Sequence, residues 1–529
     1  MKPAVMRWVV VVIVVALVVG VGGLAVLIGL AADGGTAGKT GPETPVRTPA
    51  TSGPADPDAT VPPRPDLAPF YSQQLAWSSC EDGDECATLT VPIDYAHPGA
   101  GSIDLALLRV PAARPDERVG SLVVNPGGPG APGTDYAAAA GQVFRQPLLD
   151  HFDIVGFDPR GTGDSDPVDC ISDSELDTFL AADPVPDDAA ETTDLVSSLR
   201  DFYQGCVDNS DALVGHVTTV EAARDMDVLR AALGESTLTY LGASYGTKLG
   251  ATYADLFPDK AGRLVLDGAV DVALGSRELA LGQAAGFERA LRSYVQNCVD
   301  QTEGCFLGDS VEQGLARITA FLDQVDGTPL PTSDGRELAI GNAFYGIVAP
   351  LYNRDYWFLL SQALTEAFDG NGTTLMQLSD LYASRGSDGS YTDNSAEAIY
   401  AINCLDDPYF ITPAEVPAQI PAFEKASPTF GDVFAWGLVA CDGIQVKATE
   451  KDADITAAGA PPIVVVGTTR DPATPYEWAV SLADELESGV LVSRDGDGHT
   501  GYNSGNACVD EAIESYLIDG TVPQDGLQC

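Results

Sequence analysis

Short, uninterrupted apolar runs recur along this chain, each closed by a turn residue or an acid. They include Ser121-Leu122-Val123-Val124, Phe152-Asp153-Ile154-Val155-Gly156-Phe157, Arg263-Leu264-Val265-Leu266 and Pro462-Ile463-Val464-Val465-Val466. Runs without polar alternation are the pattern of strands buried on both faces, as in parallel sheets. Ala87 to Pro92 and Ile103 to Pro111 read as earlier strands, and Ser236 to Leu241 as another. Between the runs lie helical patterns. Val220 to Leu233 places Ala222, Ala223, Met226, Leu229, Ala232 and Leu233 on one stripe, and Thr247 to Phe257 stops at Pro258. Strands alternating with helices predict an α/β fold: a mostly parallel central sheet with helices on both faces. The first part of this core spans 68–271. From 272 to 460 the pattern changes to long helical stretches (Arg277 to Val299, Val311 to Val325, Tyr356 to Phe368) and predicts an inserted helical cap. The core resumes over 461–529.

The first residues differ from the rest. Lys2 and Arg7 precede an uncharged apolar run from Trp8 to Ala32, so 1–32 reads as an export signal, long enough to be an uncleaved anchor. Gly29-Leu30-Ala31 offers a cleavage site as the alternative. No cysteine stands in or just after the run, which argues against a lipid-modified start. Residues 33–67 are rich in Pro, Thr, Gly and Ala and read as a linker. The membrane enters the picture through this N-terminal segment alone.

Composition sharpens the picture. Across 529 residues, 28 basic side chains face 77 acidic ones, a net charge of −49. Such a surface repels nucleic acid, which is discarded as a partner. Ten cysteines follow the export segment, and an even number in an exported chain implies disulfides. Closeness in sequence suggests Cys80–Cys86, Cys170–Cys206, Cys298–Cys305, Cys404–Cys441 and Cys508–Cys529. No Cys-x-x-Cys or His-Glu-x-x-His occurs, so neither a metal nor a cofactor is expected. Oligomeric state is not legible.

Candidate chemistry centres on Gly242-Ala243-Ser244-Tyr245-Gly246. Strand, Gly-x-Ser-x-Gly, helix is the context of a nucleophile elbow, whose turn is too tight for side chains at the flanking positions. Sites of this kind carry their partners in the order Ser, Asp or Glu, His. The chain has four histidines, and only His499 lies beyond Ser244, so it is the base by elimination. The acid should close a strand between them, and Asp471 lies just past the run ending at Gly467. Asp495 and Asp497 are too near His499 to end a separate strand. Asn125-Pro126-Gly127-Gly128-Pro129-Gly130 follows another strand. Pro129 has no N–H, so Gly128 is the expected oxyanion donor, with the amide of Tyr245 as its partner.

In combination, the Asn125–Gly130 loop, Asp158-Pro159-Arg160-Gly161-Thr162-Gly163, the Ser244 elbow, Ala401-Ile402-Asn403-Cys404-Leu405-Asp406, Asp471-Pro472-Ala473-Thr474-Pro475 and Gly498-His499 resemble one group. It is the exported tripeptidyl aminopeptidases of actinobacteria, relatives of prolyl aminopeptidases in the α/β-hydrolase superfamily. The resemblance spans roughly Trp77 to Cys529. It implies an α/β-hydrolase fold and a serine exopeptidase that releases short peptides, tripeptides by the family's habit, from free N-termini. Selecting a free amine calls for carboxylates near the cap; Asp406 is the first candidate, with Asp407 beside it. An exported carboxylesterase or lipase-like hydrolase is the alternative, and a non-catalytic cell-wall or ligand-binding protein on a hydrolase scaffold is a second.

Overall fold

The computed structural model describes residues 59–80, 83–210, 212–301, 304–448 and 454–529. The export segment 1–32 and the linker up to residue 58 lie outside the described residues. Among the described residues no helix is long and apolar enough to cross a membrane.

The strands are β1 (Ser78–Ser79), β2 (Glu85–Pro92), β3 (Ser102–Val110), β4 (Gly120–Asn125), β5 (Phe152–Phe157), β6 (Leu238–Ala243), β7 (Ala261–Asp267), β8 (Leu330–Pro331), β9 (Glu337–Leu338), β10 (Ile463–Arg470), β11 (Gly489–Asp497) and β12 (Leu527–Gln528). Ten of them form one sheet, in the order β1-β2-β3-β5-β4-β6-β7-β10-β11-β12, while β8 and β9 pair as a separate hairpin. From β1 to β5 neighbours run antiparallel; from β5 to β12 every pairing is parallel. This is the α/β-hydrolase architecture.

The parallel strands are the apolar runs of the sequence, and successive residues supply opposite cores. Leu122, Val124, Val464 and Val466 join one hydrophobic cluster; Val123, Leu264, Leu266 and Val465 join the other. Both faces are therefore covered, which explains why these strands lack polar alternation.

Helix α1 (Thr219–Ala232) starts where the Thr218 side chain accepts a hydrogen bond from the Glu221 amide, and α2 (Tyr245–Leu256) follows β6 directly. Between β7 and β10 the chain runs through α3 (Ser276–Val299), Val311–Gly327, the β8–β9 hairpin, α4 (Ile340–Val348), Trp357–Phe368, α5 (Thr373–Tyr382), α6 (Ser395–Asp406) and Val416–Ala426. Much of this helical segment packs on its own core, including Phe287, Leu291, Ile318 and Leu360. Five disulfides close, each joining neighbouring cysteines in sequence: Cys80–Cys86, Cys170–Cys206, Cys298–Cys305, Cys404–Cys441 and Cys508–Cys529.

Sheet register aligns the strand ends that matter. Asn125 pairs with Gly242, Ala243 with Asp267, Asp267 with Val466, and Arg470 with Asp497. The loops after β4, β6, β7, β10 and β11 therefore leave from one carboxyl edge, where open α/β sheets gather their ligands.

Candidate active site

Ser244 stands between β6 and α2 with φ 57° and ψ −125°, a conformation L-residues avoid unless the surroundings enforce it. The enforcement is visible. Its N–H donates to the Asp267 main-chain oxygen at 2.9 Å, and its carbonyl accepts from the Thr247 amide at 2.8 Å. A Cβ at Gly246 would stand 2.8 Å from Asn125 Oδ1, so that position has no room for a side chain. The serine is only partly buried, in contrast to its neighbours on both sides.

His499 lies two residues beyond the end of β11. Its N–H donates to the Tyr352 carbonyl at 2.8 Å, and its ring meets the Tyr352 ring edge to face, with centroids 5.5 Å apart. Nδ1 lies 2.9 Å from both oxygens of Asp471. Asp471, fully buried, also accepts from the amides of Ala473 (3.0 Å), Thr474 (2.9 Å) and Thr500 (3.1 Å). The carboxylate is thus fixed by the backbone before it orients the ring, and Nδ1 carries the proton. The other nitrogen, Nε2, is buried and has no hydrogen-bond partner among the described residues. Ring and serine hydroxyl are therefore not hydrogen-bonded to one another. Gly268 follows the residue that receives the Ser244 amide, and a Cβ there would lie 3.1 Å from His499 Cε1.

Asp495 and Asp497 are engaged elsewhere: Arg470 donates to Asp497 Oδ1 from Nε and to Asp495 Oδ1 from a terminal nitrogen, both at 2.7 Å.

The loop after β4 packs against the elbow. At Gly127, whose φ is +97°, a Cβ would lie 2.5 Å from the Ala243 carbonyl and 2.8 Å from Ser244 Cβ, so only glycine lets the loop approach. The Gly127 amide donates to Asn125 Oδ1 at 3.0 Å. Gly128, with φ +106°, is next in line, and Tyr245 opens α2.

Asp406 and Asp407, expected as receivers of a substrate amine, both accept hydrogen bonds within the fold. Asp406 accepts from Lys248 Nζ (2.7 Å), the Thr219 amide (2.9 Å) and Thr219 Oγ1 (2.5 Å). Asp407 Oδ2 accepts from the Ser276 amide (2.9 Å) and hydroxyl (2.7 Å). Lys248 thus already supplies positive charge beside Asp406.

Two residues with clear placements carry no role in the sequence reading. Asp267, at the end of β7, is 2% exposed, and its oxygens accept from the amides of Gly501 (2.7 Å) and Tyr502 (2.8 Å). Burial pushes its carboxyl up to about 6, against the pull of those two amides. Its signal was available: an acid closing a buried run at the carboxyl edge, the same placement that marks Asp471. Arg160, in the Asp158–Gly163 loop, is fully buried and bonds both oxygens of Asp225 at 2.7 Å, which makes that motif a brace under α1.

Among the described residues, Asp94, His216 and Glu221 are grouped as metal ligands would be, with donor atoms within 4.8 Å of one another. The Arg160 guanidinium already stands 3.7 Å from Glu221, supplying positive charge there.

A family profile described as TAP-like protein matches residues 427–529. The chain is similar to the serine protease Hip1 of Mycobacterium tuberculosis (strain ATCC 25618 / H37Rv), 37% identical over 486 residues, covering 87% of this chain and 92% of that protein. Carboxylesterase B of the same strain is 37% identical over 483 residues, covering 87% and 91%. The tripeptidyl aminopeptidase of Streptomyces lividans is 31% identical over 460 residues, covering 84% and 83%.

Proposed function

We propose that this chain, which belongs to the TAP-like family of α/β-hydrolases, is an exported serine exopeptidase releasing short peptides, three residues long, from free amino termini. Its coarser class, a serine hydrolase with serine peptidases among its relatives, follows from that membership. The observation that supports the hydrolase chemistry is the His499 ring, with Nδ1 held by a backbone-fixed Asp471 and Nε2 buried and unpartnered among the described residues, and the similarity to the tripeptidyl aminopeptidase of Streptomyces lividans supports the finer reading.

In this reading Ser244 Oγ attacks the scissile carbonyl carbon while His499 Nε2 takes its proton. Asp471 keeps the imidazole in the reactive tautomer and stabilises the imidazolium. The amides of Gly128 and Tyr245 face the developing oxyanion, where loss of one donor typically costs about 10²–10³ in rate. His499 returns the proton to the leaving amine. Water, deprotonated by the same nitrogen, then releases the peptide from Ser244. Residues 272–460 act as the cap that roofs this site, and 1–32 carries the chain out of the cell as signal or anchor. Five disulfides suit the oxidising exterior.

The test is turnover of free and N-blocked mono-, di- and tripeptide reporters. Free tripeptides should be cleaved, blocked ones spared, and Ser244→Ala inert. Equal turnover of blocked and free substrates would remove the exopeptidase assignment. Exclusive turnover of esters would favour the second reading, a carboxylesterase, which the similarity to carboxylesterase B supports.

A further inference from the structure

Histidine is scarce in this chain, yet two of its four, His97 and His216, gather with two acids that the proposed chemistry does not use. Asp94 stands just after β2, His216 closes the short turn Leu213–Gly215, and Glu221 lies in the first turn of α1. One oxygen from each acid and one ring nitrogen of His216 lie within 4.8 Å of one another. His216 Nδ1 is 2.9 Å from Glu221 Oε1, and His97 Nδ1 is 2.8 Å from Asp94 Oδ2. The first of these acids lies far from the other members in sequence, so no compact ligand motif marks the group.

Each member is held from outside the cluster. Asp94 Oδ1 accepts from the Ala96 amide at 2.7 Å, and Glu221 Oε2 from the Thr218 hydroxyl at 3.2 Å. The His216 main-chain oxygen accepts from Arg160 Nη1 at 2.9 Å. Outer bonds of this kind orient the donor atoms of metal sites. The Glu221 side chain is 2% exposed, whereas those of Asp94 and His216 keep 16% each, so an ion has a way in from solvent. Arg160 does not take the place of that ion. Its Nε and Nη2 each bond Asp225 at 2.7 Å, while Glu221 stands 3.7 Å from Nη1, so the guanidinium is committed first to Asp225.

We infer that Asp94, His216 and Glu221 bind one divalent metal ion of the zinc class, with water completing the coordination and His97 orienting Asp94. One imidazole with two carboxylates is a mixed nitrogen and oxygen set. It suits zinc better than calcium or magnesium, whose sites are built of oxygen. The ion takes the place of the Nδ1 proton, and the neutral ring carries its proton on Nε2 instead. The metal joins the segment after β2 to the start of α1. There Thr219, two residues before Glu221, reaches the Tyr245 hydroxyl at 2.7 Å. Its role is a brace behind the elbow, outside the reaction itself.

The experiment uses tag-free, full-length protein, stripped with a chelator and titrated with zinc chloride by calorimetry and with cobalt(II) chloride by visible absorption. Wild type should bind one equivalent of either ion, and zinc should raise its melting temperature. Asp94→Asn and His216→Gln should each weaken zinc binding by at least about a hundredfold and remove the rise in melting temperature. His97→Ala, which acts through Asp94, should cost about 10–100-fold. Melts without metal check that the variants fold, which the partial exposure of both ligand positions favours. Ser244→Ala should bind zinc as wild type does, so the outcome is independent of the peptidase reading. Absence of binding in wild type, or binding that survives both ligand substitutions, overturns the assignment. So does zinc that is kept in Asp94→Asn and lost in His499→Ala, since the ion would then sit on the candidate base. Displacement of zinc by an equal concentration of calcium would mark an oxygen-only surface site and overturn it as well.

Discussion

Asp267 joins the two halves of the candidate site with one residue. Its main-chain oxygen holds the Ser244 amide, and its side chain holds the two amides that follow the His499 turn. Asp267→Asn replaces one acceptor oxygen with a donor that faces an N–H, leaving a buried amide unpaired at about 1–3 kcal/mol. The expected result is a fall in kcat of about ten- to a hundredfold with KM little changed, and slower phosphonate labelling of Ser244 in parallel. A purely structural role would lower the melting temperature and leave the kcat of the folded fraction intact. The carboxyl also sets a pH signature. Pushed up to about 6, it is ionised and accepts both amides above that pH, and on protonation one oxygen becomes a donor. The acid limb of the wild-type profile should therefore include this group and become shallower in Asp267→Asn. Gly127→Ala is a steric counterpart at the same scale. Its Cβ would lie 2.5 Å from the Ala243 carbonyl, so the loop must withdraw from the elbow, and activity should drop at least tenfold.

Helices α1, α2 and α6 are tied by one polar knot behind the elbow. Lys248 of α2 pairs with Asp406 of α6, Asp406 accepts from Thr219 of α1, and Thr219 Oγ1 lies 2.7 Å from the Tyr245 hydroxyl. The Asp406 side chain is 3% exposed, so Lys248→Met leaves a buried charge without its partner, at about 3–5 kcal/mol. Lys248→Met/Asp406→Asn should recover most of that loss, and a double-mutant cycle in denaturant checks it. This knot also marks where sequence reading stops. Strands β4, β5, β7 and β10 are legible because burial on both faces forces continuous apolar runs. The candidate triad is legible because Ser244 and Asp471 follow such runs directly, and because histidine is scarce. The helix Ala189–Ser210 is hidden: its buried residues are Leu199, Phe202, Tyr203 and Cys206, none of them in its first ten residues, behind a polar start. In α1 the apolar stripe is readable, whereas Asp225, Asp227 and Arg230 read as a solvated face and are buried. Asp227 and Arg230 pair locally, three residues apart, but Arg160, the partner of Asp225, and Tyr71, which donates to Asp227, lie far off in sequence. Asp406 shows the same limit: an acid in a motif shows its type, and only the fold shows that Lys248 pairs with it.

Across the molecule, charge and burial push stability in one direction. The chain carries −49, so its like-charged surface opposes compaction at neutral pH. Inside, Asp158 and Asp267 both have their carboxyls pushed up to about 6 by burial. A carboxyl raised in the folded state adds stability that is complete below its ordinary value of 3.8 and is lost as pH climbs through about 6. Each group gains about 1.4 kcal/mol per pH unit once below its raised value, so the pair contributes about 3 kcal/mol on going from pH 8 to pH 5. The melting temperature should therefore rise over that interval. Salt separates the two sources. At 1 M the screening length is about 3 Å, which removes the surface repulsion and leaves buried groups largely untouched. High salt should raise the melting temperature at pH 8 and shrink the pH effect without abolishing it. A melting temperature that is flat or falling from pH 8 to 5 at high salt would mean that Asp158 and Asp267 ionise as easily inside the fold as outside it. The bonds from Thr134 and Asp164 to Asp158, and from Gly501 and Tyr502 to Asp267, would then fully offset the loss of water, and the pH signature assigned to Asp267 in catalysis would go with it.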